Sequence, residues 1–102
     1  MEKRHFFFKL IPLRPTFPAD ITPDEAALMQ RHSGYRAEHF AAGSLLAYGP
    51  VFAQEGAFGI GILEVENEAE ARNFGANDPS VQAGLNRFEI NPMHVVAARP
   101  KS

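Results

Sequence analysis

The strongest constraint on the fold is a short predicted strand near the N-terminus that is apolar on both of its faces. Alternation along residues 6–11 places Phe6, Phe8 and Leu10 on one side and Phe7 and Ile11 on the other. A strand with one face in water alternates apolar with polar residues, so this strand requires cover on both sides. Helices of the same chain can cover only one of them.

The remaining elements follow in the order β-α-β-β-α-β. The run Thr22-Pro23-Asp24-Glu25 combines a cap, a proline at the first helical position and a capping-box glutamate, which predicts a helix to about Ala42 that ends at Gly43. The later predicted elements are a strand over 45–52, a turn at 54–56, a strand over 57–66, a helix over 67–77, a helical turn over 78–83 and a strand over 87–98 broken by Pro92. This order predicts a ferredoxin-like α+β fold, with an antiparallel sheet and both helices on one face.

That architecture leaves the second face of the sheet uncovered. Phe7 and Ile11, with one set of side chains from the later strands, would form an apolar patch too large for a small monomer to expose. Two copies can cover the patch by packing their sheets face to face around a two-fold axis. The sequence therefore predicts a homodimer, a dimeric α+β barrel.

Length, charge and cysteine content exclude several classes of protein. A chain of 102 residues suits one domain over 1–102, and 10 basic against 12 acidic residues give no basic stripe for nucleic acid. The absence of cysteine excludes disulfides, cysteine nucleophiles and thiolate metal sites. No apolar run approaches the roughly 20 residues of a membrane span, and Lys9 interrupts the N-terminal apolar stretch before it reaches signal-peptide length. We therefore expect a cytoplasmic protein that contacts neither nucleic acid nor membrane.

Two glycines share one face of the third predicted strand. Gly59 and Gly61 alternate into the same face as Leu63 and Val65. Without side chains at these two positions, that patch of the sheet either permits close packing or leaves a hollow. The pair does not form a phosphate loop, because no helix start or Lys-Ser/Thr pair follows it.

Two of the four histidines lie on the first predicted helix. His32 and His39 are seven residues apart and share a stripe that faces the sheet. Imidazole titrates near neutral pH and suits proton transfer, although a buried histidine more often only bonds to backbone groups. Two helical turns separate the pair, which is too far for one ion without other ligands, so no metal site is predicted on these two histidines. His5 is expected at the surface and His94 half-buried on the last strand.

Three further features have two interpretations each. Asp78 before a proline is a good helix cap, and alternatively a carboxylate that orients a histidine and fixes its tautomer. The Gly49-Pro50 pair either forms part of a pocket wall or only ends a strand. Arg14 and Arg36 could bind an anionic substrate group or a surface carboxylate, and the second interpretation is preferred for Arg14.

Two motifs resemble the YCII-related (YciI-like) family. His32 lies eleven residues before the segment Gly43-Ser44-Leu45-Leu46-Ala47-Tyr48-Gly49-Pro50, and Asn77-Asp78-Pro79-Ser80-Val81-Gln82-Ala83-Gly84-Leu85 follows the third strand. The resemblance covers nearly the whole chain, from Phe6 to Pro100. It implies a dimeric ferredoxin-like fold, in agreement with the order of the elements.

The resemblance also implies a function. It places a histidine/aspartate centre in a cleft between helix and sheet, and by position these residues are His32 and Asp78, whereas His39 has no counterpart. Relatives include dehydrochlorinases of quinol-like or chlorinated ring-cleavage metabolites, and the fold resembles that of muconolactone isomerase. Such reactions move a proton beside an electron-accepting carbonyl without a redox cofactor, which implies a lyase, isomerase or dehydrochlorinase with His32 as general base and Asp78 as its orienting partner. The expected substrate contacts are Arg36, Tyr48, Gly49 and Pro50.

Two alternatives stay open. The chain could be a non-catalytic dimeric module that binds a small molecule or accompanies another protein, with Asp78 only capping a helix. A metal site built on His32 and Asp78 is the weaker alternative. The segment from Pro12 to Pro23 is longer than in short family members, and we expect it to line the mouth of the cleft.

Overall fold

A computed structural model describes residues 3–99 as a four-stranded antiparallel sheet with helices on one side. The elements are β1 (Arg4–Pro12), α1 (Pro23–Ala42), β2 (Leu45–Ala53), β3 (Gly56–Val65), α2 (Glu68–Ala76), α3 (Pro79–Gln82) and β4 (Asn86–Met93). The strand order is β2-β3-β1-β4, with antiparallel pairing throughout. This is the ferredoxin-like arrangement, which confirms the predicted fold class. Residues 1–2 and 100–102, the ends of the predicted domain, lie outside the described residues.

The predicted boundaries of α1 are confirmed by its capping geometry. Thr22 Oγ1 accepts from the Glu25 amide at 3.2 Å, and Glu25 Oε1 accepts from the Thr22 amide at 3.0 Å. At the other end Gly43 has a φ of 94°, a left-handed conformation that favours glycine. The helix therefore spans Pro23–Ala42, and both of its ends are capped.

The predicted end of the last strand is wrong. β4 ends at Met93 instead of Ala98, because its pairing with β1 ends where Met93 lies opposite His5. Pro92 does not break the strand: β4 is at the edge of the sheet, where one missing amide hydrogen leaves no neighbour unpaired. His94 lies just beyond the strand and is exposed instead of half-buried.

Alternate residues of the central strands form the core beneath the helices. Phe6, Phe8 and Leu10 of β1 are all buried and pack in one cluster with residues of β3 and α2. Phe8 is at its centre, with its ring edge-on to that of Phe74 at a centroid distance of 5.1 Å. The face of β1 predicted to pack under the helices is therefore the buried one.

The opposite face of the sheet carries apolar side chains that the helices do not cover. They alternate with the core residues and are all partly exposed: Phe7, Ile11, Val51, Phe58, Ile60 and Ile62. Lys9 lies among them, with its Nζ 4.5 Å from the ring centroid of Phe58. We call this surface the open sheet face. No helix within residues 3–99 is long and apolar enough to cross a membrane.

Candidate functional site

A cleft of about 380 Å³ opens between α1 and the part of the sheet formed by β2 and β3. Its walls are mainly apolar, and the segment between β1 and α1 contributes Phe17, Pro18 and Ile21 to them. The proline-rich segment thus lines the cleft, as expected from its length. The polar side chains of the lining are few: His32, Ser33, Arg36, Tyr48 and Asn86.

His32 and Asp78 meet at this cleft. His32 faces the sheet from the middle of α1, and Asp78 is the residue that caps α3, 46 positions later in the chain. His32 Nδ1 lies 2.7 Å from Asp78 Oδ2, which is hydrogen-bonding distance. The side chains are well sheltered, since His32 is 6% exposed and Asp78 is 0% exposed. His32 nevertheless lines the cleft, and within residues 3–99 its Nε2 is neither hydrogen-bonded nor among the buried unpaired atoms, so this nitrogen is accessible.

The Asp78 carboxylate uses its two oxygens for different purposes. Oδ1 accepts from the Ser80 amide at 2.8 Å and from the Ser80 hydroxyl at 2.7 Å, which caps α3. Oδ2 accepts from His32. Asp78 therefore caps α3 and contacts His32 at the same time, and its carboxylate is held from both sides.

These hydrogen bonds also determine the protonation of the pair. Burial raises the pKa of the Asp78 carboxyl, but hydrogen bonds from His32 and Ser80 outweigh this effect and leave the pKa below its ordinary value. An ionised carboxylate only accepts hydrogen bonds, so the proton of a neutral His32 ring is on Nδ1 and the lone pair is on Nε2. No hydrogen bond within residues 3–99 involves Nε2. The imidazole therefore has a free basic nitrogen and a fixed tautomer.

Arg36 lies one turn after His32 and is also part of the cleft. Its side chain is 4% exposed, and Nη2 donates to the Ile60 carbonyl at 2.9 Å. The guanidinium carbon is 5.5 Å from the ring centroid of Phe8 and 5.1 Å from that of Tyr48. Burial lowers the pKa of Arg36, although a guanidinium stays charged in proteins. The result is a cation held between two aromatic rings.

The two glycines of β3 make room for this guanidinium. A Cβ atom at Gly59 would come 3.3 Å from Arg36 Nη1, and one at Gly61 would come 2.8 Å from Nη2. Of the two alternatives that the sequence left open, close packing is the one observed, and the side chain that packs over the glycines comes from α1.

We expect Gly61→Ala to lower the free energy of unfolding by about 1–3 kcal/mol, because the new methyl group overlaps Arg36 and Leu45. Gly34→Ala is the matched control: nothing lies near a Cβ at this helical position, and the change should stabilise the protein by about 0.5–1 kcal/mol. Urea denaturation of both variants measures the difference. A Gly61→Ala variant as stable as the wild type would show that the guanidinium does not occupy this space.

Other predicted residues fall into two groups. Tyr48, Gly49 and Pro50 line the same cleft as His32. His39 does not, since its ring packs against Tyr35 and Phe74 at 4.6 Å and 4.9 Å between centroids. Within residues 3–99, no three histidine, aspartate or glutamate side chains are grouped closely enough to hold a metal ion.

Arg14 binds surface carboxylates, which confirms the preferred interpretation. Its Nη1 and Nη2 donate to the two oxygens of Glu25 at 2.8 Å each, and its Nε donates to Asp20 at 2.9 Å. Hydrogen bonding to Arg14 lowers the pKa of Glu25 to about 2. These contacts fasten the segment between β1 and α1 to the first turn of α1.

One polar residue of the cleft carried no signal in the sequence. Asn86, the first residue of β4, is 3% exposed, and its Nδ2 lies 3.8 Å from the sulfur of Met29. Its Oδ1 has no hydrogen-bond partner within the described residues. The contact between Asn86 and Met29 of α1 joins residues 57 positions apart, which the sequence alone does not indicate.

Comparisons with known proteins agree with this architecture. The family model described as YCII-related domain matches residues 10–94. Among solved structures, an uncharacterised protein from Thermotoga maritima superposes with a TM-score of 0.51 over 91% of this chain and 100% of that one, at 12% sequence identity. A likeness at this identity concerns the fold alone. A search of curated proteins found no match.

Proposed function

The chain belongs to the YCII-related domain family, and from this premise we propose that it is a cofactor-independent enzyme of the lyase, isomerase or dehydrochlorinase type. His32 is the general base, and Asp78 orients it. The observation that supports this proposal most directly is the 2.7 Å hydrogen bond between His32 Nδ1 and Asp78 Oδ2 at the wall of an open cleft. A general base needs an unprotonated nitrogen that a substrate can reach, and Nε2 of His32 has no hydrogen-bond partner within residues 3–99.

The proposed reaction begins with removal of a proton from a carbon beside a carbonyl. His32 Nε2 accepts the proton, and the electron pair of the broken C–H bond moves toward the carbonyl to form an enolate. Asp78 stabilises the imidazolium that results. The enolate then takes the proton back at another carbon, as in an isomerase, or expels a leaving group such as chloride, as in a dehydrochlorinase.

The other proposed contacts lie around the same imidazole. Arg36, Tyr48, Gly49 and Pro50 all line the cleft and are proposed to touch the substrate. The apolar walls of the cleft support the proposal of a small organic substrate, because such walls exclude water from the reacting groups.

We further propose that the protein is a homodimer of single-domain subunits. The open sheet face supports the dimer, because its partly exposed apolar side chains lie side by side on the two central strands and one edge strand. The pairing of β1 with β4 supports a single domain, since it joins the two ends of the described chain in one sheet.

The test is proton exchange at acidic carbons, which can be followed without identifying the natural product. Small carbonyl compounds, including β,γ-unsaturated ketones, lactones and chlorinated dienones, are incubated in D₂O, and loss of the C–H signal is followed by proton NMR. We expect the wild type to speed exchange for some of them and His32→Ala to lower the rate by at least about 10²-fold, the contribution of general base catalysis.

His39→Ala is the matched control, because His39 is on the same helix but outside the cleft. The His39→Ala variant should catalyse proton exchange at the wild-type rate. The proposal would be contradicted if His32→Ala catalysed proton exchange at the wild-type rate while circular dichroism showed that the variant is folded.

A further inference from the structure

Arg36 is a buried cation without a carboxylate partner. Buried charges in proteins are normally paired, because an unpaired charge loses its hydration without compensation. No carboxylate within residues 3–99 lies at ion-pair distance from Arg36. Its Nη2 donates to one backbone carbonyl, and its buried Nε has no partner within these residues. The charge of the Asp78 carboxylate acts on Arg36 only from beyond ion-pair distance, so no anion of the described residues contacts the guanidinium.

The fold determines where the Arg36 guanidinium lies. An arginine on a surface helix usually extends its charged end into water. Here the side chain turns down onto the sheet, between the rings of Phe8 and Tyr48 and over two glycines of β3. Nη1 makes no hydrogen bond within the described residues and is not among the atoms sealed from solvent. An anion in the cleft can therefore reach it.

The rest of the cleft limits what that anion can be. Within the described residues, Arg36 is the only lysine or arginine of the lining, and no aspartate or glutamate belongs to it. The remaining walls are mostly apolar side chains, including Leu10, Phe17 and Met29. One cation surrounded by apolar surface suits a ligand with a single negative charge and an apolar body, and it does not suit a phosphate or a diacid.

We propose that the ligand of this cleft is a small apolar monocarboxylic acid whose carboxylate binds the guanidinium of Arg36. The proposal rests on the proposed function, since it names the substrate class for the same site. His32 and Arg36 are four residues apart on α1, so their β-carbons are about 5–6 Å apart. A bound acid thus has its carboxylate one helical turn from the imidazole and its apolar body along the walls.

The test compares acids with their neutral amides, which match them in shape. Phenylacetate, 3-phenylpropionate and cyclohexanecarboxylate are titrated into the full chain at neutral pH by calorimetry, beside phenylacetamide and the other two amides. We expect at least one acid to bind about tenfold or more tightly than its amide, because hydrogen bonds to an ionised group are the stronger kind. Arg36→Met, which keeps the apolar part of the side chain, should remove this preference.

Arg72→Met is the control, because Arg72 is bonded to Glu68 at the surface away from the cleft. It should keep the preference for the acid. The proposal would be overturned if the wild type bound no acid more tightly than its amide. This test uses only the wild type, so it remains valid even if Arg36→Met fails to fold. A preference that persists in folded Arg36→Met would overturn it as well.

The outcome is distinct from that of the proposed function. His32→Ala should lose proton exchange and still prefer the acid over the amide. If His32→Ala exchanges normally, general base catalysis by His32 is wrong while the binding of the carboxylate stands. If no acid is preferred but exchange depends on His32, the enzyme acts on neutral carbonyl compounds.

Discussion

Asp78→Asn is expected to lower the rate of proton exchange by about 10²–10⁴-fold and to leave the melting temperature nearly unchanged. The asparagine carbonyl can replace Oδ1, which caps α3, because Asn caps helices about as well as Asp. The amide NH₂ then replaces Oδ2 and donates to His32 Nδ1. The imidazole proton has to move to Nε2, and the nitrogen that faces the substrate loses its lone pair.

The change of tautomer can be measured without a substrate. Nitrogen-15 NMR of the His32 ring should show the proton on Nδ1 in the wild type and on Nε2 in Asp78→Asn. Asp78→Ala is the comparison variant, because it removes both hydrogen-bonded oxygens and should also lower the melting temperature. If Asp78→Asn exchanges protons as fast as the wild type, Asp78 is only a helix cap, and the non-catalytic binding module becomes the better interpretation.

Ile62→Glu is expected to dissociate the proposed homodimer into monomers. Ile62 is on the open sheet face, directly opposite Phe7 on the neighbouring central strand. Packing two open sheet faces around a two-fold axis would bury two of the new carboxylates close together, and like charges at an interface cost several kcal/mol. The dimer dissociation constant should rise at least about 100-fold, measured by analytical ultracentrifugation.

Val96→Glu is the matched control for this experiment. Val96 is 86% exposed and lies beyond the end of β4, so the same charge there should leave the dimer intact. Circular dichroism of Ile62→Glu should show a folded subunit, since the side chain points away from the helices. A wild-type protein that sediments as a monomer at micromolar concentration would contradict the dimer.

The fold was predictable because its signals are local. The capping box at Thr22 and the left-handed Gly43 define α1 from a few neighbouring residues each. The alternation along β1 identifies its buried face in the same way. The end of β4 was predicted wrongly, because a strand ends where its partner ends, and residues 94–98 resemble a strand in composition without a neighbour to pair with.

The site was less predictable, because it depends on contacts between distant parts of the chain. Spacing alone could not connect His32 with Asp78 across 46 positions, and the resemblance to a family supplied that connection. The Gly59 and Gly61 pair indicated close packing or a hollow, but the side chain that packs there, Arg36, comes from another element. Asn86 could not be recognised, since burial of a polar residue at the start of a strand depends on what packs over it.

The way the segment between β1 and α1 is attached has a consequence for engineering. Arg14 ties this segment to Glu25, whereas the histidine and carboxylate belong to α1 and the turn before α3. Residues 15–21 can therefore be exchanged as a cassette between relatives, provided that Asp20, which also binds Arg14, and the buried Phe17 are kept. Libraries confined to this cassette would vary which molecules the cleft admits, while His32 and Asp78 stay unchanged.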